Sequence, residues 1–427
     1  MRLRSPLWHN QEFLKLWGAE TVSQVGSHVS QLALPLVAIL LLDASAFQVA
    51  ALGVAITLPW LLVSLPAGAW IDRLPRRPIL IIADWGRGLL LLSIPAAYFL
   101  DALTLTQLYL VGFAVGTLTV FFDIAYQSYV PSLVEREQLT DANGKLEVSR
   151  TAAQTGGPAV AGSLISLLTA PYAVLVDALS FMGSALLLSR IKLPEHRPTR
   201  ADASREKLRR EIADGLRFVA RHPILRPSVT YVAISNFFTS LIFAVYLVFA
   251  VRELDLSAAT IGLIGSLGNV GLLTGAVLAP RLSSRFGVGP VMVGVAAAGG
   301  WSLLLIPLAR DDLIIPLLAA AWLGFGFCAV VYNVAGISLM QAITPDRILG
   351  RMTASRRFVV FGIGPLGMLA GGALGTSLGL RETLWIGAAG ASLAFIPLLA
   401  SPIPRIKNIG DAEALTGTTE PLADLLR

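Results

Sequence analysis

Carboxyl and amide groups inside long apolar runs are the residues of this chain best placed to do chemistry. Glu20 and Gln24 stand four apart, on one helical face, within the run 17–42. Asp123 lies deep in the run 106–132, after Phe121-Phe122. An ionisable side chain at the centre of a bilayer costs about 2.5–3.5 kcal/mol on insertion scales, so it faces a cavity or a partner. A carboxyl group held there can take up and release a proton. Asp123 is the first proton or cation site on this argument, and Glu20 the second. The structural alternatives are a hydrogen bond from Asp123 to a neighbouring helix, and a wet, capping Glu20 near a helix end. Asp84 and Arg87 are three apart and can pair, as can Glu147 and Arg150.

Other chemistries find no support. A phosphate loop needs G-x-x-x-x-G-K-[ST]; Gly144-Lys145 is followed by Leu146, so the hydroxyl for magnesium is missing. The series Gly262, Gly265, Gly268, Gly271 and Gly275 has helical spacing, which suits close helix contact rather than phosphate. ATP hydrolysis is therefore not expected, and any pumping should draw on an ion gradient. His9, His28, His196 and His222 form no metal-binding cluster. Cys328 is the single cysteine, which excludes an intrachain disulfide. No cofactor and no clustered nucleophile and base are expected, so the chain does not read as an enzyme.

The elements that hold these groups are membrane spans. The 427 residues are 55% hydrophobic and only 14% charged, against about 25% charged in soluble domains. Runs of about 20 apolar residues cross a bilayer core of roughly 30 Å as helices. Twelve are expected, near 17–42, 47–71, 78–100, 106–132, 143–169, 172–190, 227–251, 259–280, 290–309, 313–341, 358–379 and 383–403. Nearly all of the 33 Lys and Arg then fall on one side, with only Arg252, Arg310 and Arg381 in the segments on the other. That asymmetry places both termini in the cytoplasm. It also accounts for the net charge of +6 without nucleic acid.

The chain reads as a duplication. Leu42-Asp43-Ala44-Ser45-Ala46 aligns with Leu254-Asp255-Leu256-Ser257-Ala258. The same displacement lays Arg73-Leu74-Pro75 on Arg285-Phe286-Gly287. Asp72 falls on Ser284, and the second copy lacks the pair Arg76 and Arg77. The expected fold class is an all-α membrane protein with twelve transmembrane helices in two pseudo-symmetric six-helix bundles. The bundles are 1–190 and 227–403. Between them, linker 191–226 repeats Leu208, Ile212, Leu216 and Val219 at helical spacing among arginines, which predicts an amphipathic helix on the membrane surface. A polar cytoplasmic tail, 404–427, is expected to be poorly ordered.

Gly68, Asp72, Arg73, Arg76 and Arg77 resemble the loop between helices two and three of the major facilitator superfamily, with Pro75 where that family has Gly. Phe13–Trp17 with Ser23–Gly26, Phe121–Pro131, Leu139–Asn143 and Ser149–Gly162 extend the resemblance over nearly the whole chain. They are similar to the bacterial branch that holds the enterobactin exporter and macrolide-efflux proteins. Gly157, Pro158 and Gly162 resemble the antiporters' helix-five signature, with Ala at two of its Gly positions. Gly364-Pro365 with Gly371-Gly372 repeats the device in helix eleven. Asp177, in an Asp-Ala-Leu-Ser-Phe context, reads as a structural family trait.

The resemblance implies the major facilitator fold and a multi-pass protein of the bacterial inner membrane. It implies proton-coupled export of a small amphiphilic compound, such as a drug or siderophore, by alternating access. A charge-relay lock would comprise Asp72, Arg73, Asp84, Arg87, Arg150 and Arg357, with Asp72 facing the start of helix eleven near Thr353–Arg356. Gly157, Pro158 and Gly162 would form a pivot. A central site lined by helices one, four, seven and ten would use Gln24, Asp123, Asn236, Tyr246, Tyr332 and Asn333. The expected partners are lipid, protons and a small-molecule substrate, with the chain a monomer. Import or lysolipid flipping on the same fold, and a non-transporting sensor or scaffold, are the alternatives.

Overall fold

The computed structural model describes residues 6–71, 73–192, 217, 220, 222–344, 346–408 and 411. Its helices are α1 Gln11–Leu40, α2 Ala46–Leu62, α3 Ser64–Ile71, α4 Arg76–Phe99, α5 Leu105–Leu133, α6 Leu139–Leu168 and α7 Ala170–Ser189. They continue as α8 Leu225–Arg252, α9 Ala258–Phe286, α10 Val288–Leu303, α11 Ile314–Ile343, α12 Asp346–Ser377, α13 Leu380–Leu393 and α14 Ile396–Leu399. Among the described residues, eight stretches are long and apolar enough to cross a membrane, and two shorter apolar helices are α2 and α10. With α6 and α12, whose first turns are polar, the helices of the described residues are consistent with the twelve spans expected. α2 and α3 form one span, interrupted at Val63 because Pro66 has no N–H to donate one turn back. The four residues that predict the linker's amphipathic helix, Leu208, Ile212, Leu216 and Val219, lie outside the described residues.

α1 begins earlier than its hydrophobicity predicts. The side chain of Asn10 accepts from the Glu12 and Phe13 N–H groups, both at 3.1 Å, and so caps the polar first turn. Asn10 Nδ2 also donates to the Leu133 carbonyl at the end of α5, 2.9 Å away.

By contacts the chain forms two units, Met1–Asp202 with Ala250–Ser266, and Ala203–Phe249 with Leu267–Arg427. In the first, α7 packs on α1 and α4, and α5 packs on α2 and α4. Leu16, Ile71, Leu80, Val120, Tyr129 and Leu188 sit in its core. In the second, α10 packs on α11 and α13 around Met292, Tyr332, Leu339 and Leu398.

The two aligned loops have one geometry. Asp43 and Asp255 are both left-handed, with φ of 46° and 48°. Ala44 N–H donates to the Ala38 carbonyl, and Leu256 N–H to the Ala250 carbonyl, each at 2.9 Å. Ser45 then caps α2 through Gln48 N–H, and Ser257 caps α9 through Thr260 N–H. Aspartate tolerates this backbone better than most residues, which explains why it stands at both places.

The duplicated junctions differ in one respect. Arg77 reaches the end of α7, donating from Nη2 to the Ser189 carbonyl at 2.6 Å and from Nε to the Leu188 carbonyl at 3.3 Å. Lys15 Nζ donates to the Arg190 carbonyl, and Glu12 accepts from Lys192 N–H. The repeat lays Arg77 on Gly289. There the main chain makes the link: Val288 and Gly289 N–H donate to the Lys407 and Ile406 carbonyls at 3.1 and 2.8 Å. These are the free donors at the start of α10. A Cβ at Gly289 would lie 1.8 Å from the Ile403 carbonyl oxygen. The tail is thus folded at least through Asn408, contrary to the expectation from its polarity, because Ile403 and Ile406 are fully buried.

α8 is capped by an imidazole. His222 Nδ1 accepts from Ile224 and Leu225 N–H at 3.2 and 3.3 Å, so that nitrogen carries no proton. Burial pushes His222 down from 6.5 to about 4. The unfolded chain therefore binds a proton that the folded chain refuses. The cap's contribution is complete above about pH 6.5 and is lost as pH falls from there towards 4. His222→Asn keeps a cap that does not titrate. The thermal midpoint of the wild type should fall below that of the variant as pH drops from 7.5 to 4.5; a constant difference would refute the cap.

Candidate functional site

The polar groups of the first unit gather on α1, α4, α5 and α7. Gln24 Nε2 donates to Glu20 Oε1 at 2.5 Å, which their spacing on α1 allows. Glu20 Oε2 is shut from solvent and has no hydrogen-bond partner among the described residues. Asp123, on α5, lies within electrostatic range of Glu20 and of Arg87. Two carboxyl groups and an arginine thus share one field inside a helical bundle.

Arg87 and Asp84 form the buried pair that their spacing on α4 permits, with Asp84 fully buried and Arg87 3% exposed. Ser184 Oγ on α7 donates to the other Asp84 oxygen at 2.5 Å. The guanidinium lies between two rings, 4.3 Å from the centroid of Phe122 and 4.2 Å from that of Phe181. The rings' electron-rich faces stabilise a cation that has little water around it. Asp177 is also fully buried, accepts from Ser180 Oγ at 3.0 Å, and stands against Gly26 of α1.

The remaining members of the predicted lock are placed less uniformly. Arg150 pairs with Glu147 through two bonds, at 3.0 and 3.1 Å, and both side chains are exposed. Arg73 is exposed and Arg76 partly buried, while Arg77 donates to two carbonyl groups at the end of α7. A Cβ at Gly68 would meet nothing within 4 Å, so no close contact requires glycine there. Asp72 lies outside the described residues, as do the side chains of residues 353–357.

Helix five is α6, and its small residues make close contacts. The His28 ring lies over Gly157, where a Cβ would meet it at 2.6 Å. Gly162 faces the Ala258 carbonyl, and Gly262 faces the Pro158 carbonyl. Small residues four apart on each helix let the two backbones touch. Ala159 N–H donates to Ser266 Oγ and Ala259 N–H to Ser166 Oγ, each at 3.0 Å. The later glycines of α9, Gly268, Gly271 and Gly275, face α11 instead. In helix eleven, α12, Gly371 comes close to the Leu241 carbonyl of α8.

The second unit holds a cavity of about 390 Å³ between α8, α10 and α11. Three of the predicted substrate contacts, Asn236, Tyr332 and Asn333, line it. Tyr246 does not; it packs edge-on against Trp322, with ring centroids 5.0 Å apart. Gln24 belongs to the first unit, bonded to Glu20. The cavity adds Tyr231, Ser235 and Thr239, a stripe at every fourth residue of α8. That stripe was open to a sequence reading, since hydroxyls at helical spacing in an apolar span mark one face. Among the described lining residues none is charged.

Comparison with known proteins agrees with this architecture. A family model described as "transmembrane secretion effector" of the major facilitator superfamily matches residues 4–426. The chain is 26% identical over 400 residues to the "Multidrug efflux pump Tap" of Mycobacterium tuberculosis, covering 92% of this chain and 93% of that one. The Mycolicibacterium fortuitum protein of the same name is 26% identical over 378 residues, covering 86% and 90%. Among solved structures, a bacterial homologue of the iron transporter ferroportin in an inward-facing state matches with a TM-score of 0.74 at 19% identity, covering 93% of this chain and 99% of that one. The nucleoside transporter NupG matches with a TM-score of 0.69 at 13% identity, covering 91% and 98%. These two likenesses speak to the fold. A helical chain with many apolar spans and a match along almost its full length belongs to the transmembrane secretion effector family of the major facilitator superfamily, and is a transporter rather than an enzyme.

Proposed function

We propose that this transporter exports a small amphiphilic compound in exchange for protons, by alternating access. On this reading it works in the bacterial inner membrane as a monomer, with both termini in the cytoplasm. The observation that carries the proposal is the pair of membrane-embedded carboxyl groups, Glu20 and Asp123, in one electrostatic field beside Arg87. One Glu20 oxygen lacks a donor among the described residues. A proton taken by either carboxyl removes a charge from the bundle, and its release restores one; that is the event an antiporter couples to solute movement. The relatives named multidrug efflux pumps support the outward direction. Gly157, Pro158 and Gly162 act as the pivot on which helix five turns. Asp72, Arg73, Asp84, Arg87, Arg150 and Arg357 lock the two halves in one of their states.

Everted vesicles with an acidic lumen test the reading. A panel of amphiphilic dyes should include members that accumulate inside vesicles holding the wild type and leave when a protonophore is added. Asp123→Asn should lower that accumulation at least tenfold while inserting normally. Wild-type accumulation in the Asn variant would remove Asp123 from the coupling mechanism. Protonophore-insensitive accumulation would remove the proton, and movement only in the opposite direction would remove export.

A further inference from the structure

The cavity of the second unit carries a more specific reading, which rests on the transporter assignment above. We propose that it binds an uncharged aromatic solute bearing an amide or an equivalent donor–acceptor group. Three observations support this. First, the described lining contains hydroxyls, the two amides of Asn236 and Asn333, and aromatic rings but no charged side chain. Its volume of about 390 Å³ falls among small-molecule sites of roughly 300–1,000 Å³. A cation brought there would lose its water and gain no counter-charge.

Second, the wall holds a buried hydroxyl with nothing to bond among the described residues. Thr239 is 8% exposed and its Oγ1 has no hydrogen-bond partner among the described residues. A buried threonine in a helix ordinarily donates to a carbonyl one turn back, as fully buried Thr383 does to Gly379. Asn236 Nδ2 donates to the Val232 carbonyl at 2.8 Å, which leaves its Oδ1 as an acceptor. A solute N–H can donate to Asn236 Oδ1 while Thr239 O–H donates to a solute carbonyl. A buried polar atom left unmade is costly, so its position in a cavity wall points to a ligand.

Third, aromatic rings cluster on the wall, with the Tyr231 and Tyr332 planes tilted by 51°. Tyr231 and Tyr332 lie with centroids 4.3 Å apart, and Phe325 adds a third ring to the wall. Aromatic surfaces of this kind favour a flat apolar body. The arrangement also divides the labour between the units. The membrane-embedded carboxyl groups Glu20, Asp84, Asp123 and Asp177 all belong to the first, and the uncharged recognition surface belongs to the second.

The test uses the full chain in lipid nanodiscs and two probes of similar size, 1-naphthaleneacetamide and 1-naphthylmethylammonium, with binding followed by equilibrium dialysis. The amide should bind, and the cation should bind at least tenfold more weakly. Thr239→Val, which removes one hydroxyl at constant shape, should weaken the amide about five- to tenfold. Ala329→Phe, which fills the cavity from its wall, should abolish amide binding. Both variants are first shown to be monodisperse and to unfold near the wild-type temperature, and Thr239→Val carries the test alone if Ala329→Phe does not fold. No binding of the amide, equal binding of the cation, or unchanged affinity in the variants would overturn the proposal. Failure here with dye efflux intact would leave the exporter reading standing. Amide binding without outward flux would keep the site and remove the exporter.

Discussion

Alanine at Asp84 should destabilise the first unit by about 3–5 kcal/mol, the range for breaking a buried ion pair from one side. The loss does not arise from the pair's attraction alone. Arg87 would remain between Phe122 and Phe181, 3% exposed, with its charge uncompensated. Ser184 would lose its acceptor at the same time. The midpoint of denaturant unfolding in nanodiscs measures the effect. A second variant separates charge from packing: Asp84→Leu with Arg87→Met replaces both partners by apolar groups of similar size and should recover most of the loss. Wild-type stability in Asp84→Ala would show that the pair is open to water, against its burial. A double variant as unstable as the single one would show that ring packing, not charge, dominates.

Valine at Gly289 should have a comparable effect for a different reason. Even a Cβ would stand 1.8 Å from the Ile403 carbonyl oxygen, so the segment after α14 must lift away. Lifting breaks the hydrogen bonds from Val288 and Gly289 N–H and exposes Ile403 and Ile406, both fully buried. Two net hydrogen bonds and partial exposure of two isoleucines together come to about 3–5 kcal/mol. The effect is local, so hydrogen exchange at residues 403–408 should accelerate more than at α11. Limited proteolysis should cut the variant in that segment first. Unchanged protection there would mean that the contact is not held in the membrane.

Much of the fold is legible in the sequence because lipid leaves few solutions. Apolar length marks the spans, and the spacing of Asp84 with Arg87 and of Glu147 with Arg150 marks pairs that the structure contains. The alignment of Asp43 with Asp255 marks two loops with nearly equal backbone angles. The candidate site is less legible, and the reason is the same at several residues. Arg77 bonds to carbonyl groups, which every residue has, so no side-chain pattern announces its acceptors. Tyr246 and Tyr332 look alike as aromatic residues in polar-poor spans, yet only Tyr332 reaches the cavity. Which face of a helix meets a void depends on the neighbouring helices, and composition carries no record of that. Hydropathy also misjudges the segment after α14, where two isoleucines among polar residues suffice to dock it.

The contrast between Arg77 and Gly289 sets different rules for change in the two repeats. At the first junction a long cation is required at one position, and residues 188 and 189 meet it with carbonyl oxygens that any residue would supply. At the second, the requirement is the absence of a side chain. An engineer who rebuilt the ancestral-looking symmetry by writing arginine at 289 would therefore not strengthen the second repeat but unseat its last segment. Equivalent positions in a duplicated protein can be held to opposite demands once one copy has handed its bond to the main chain.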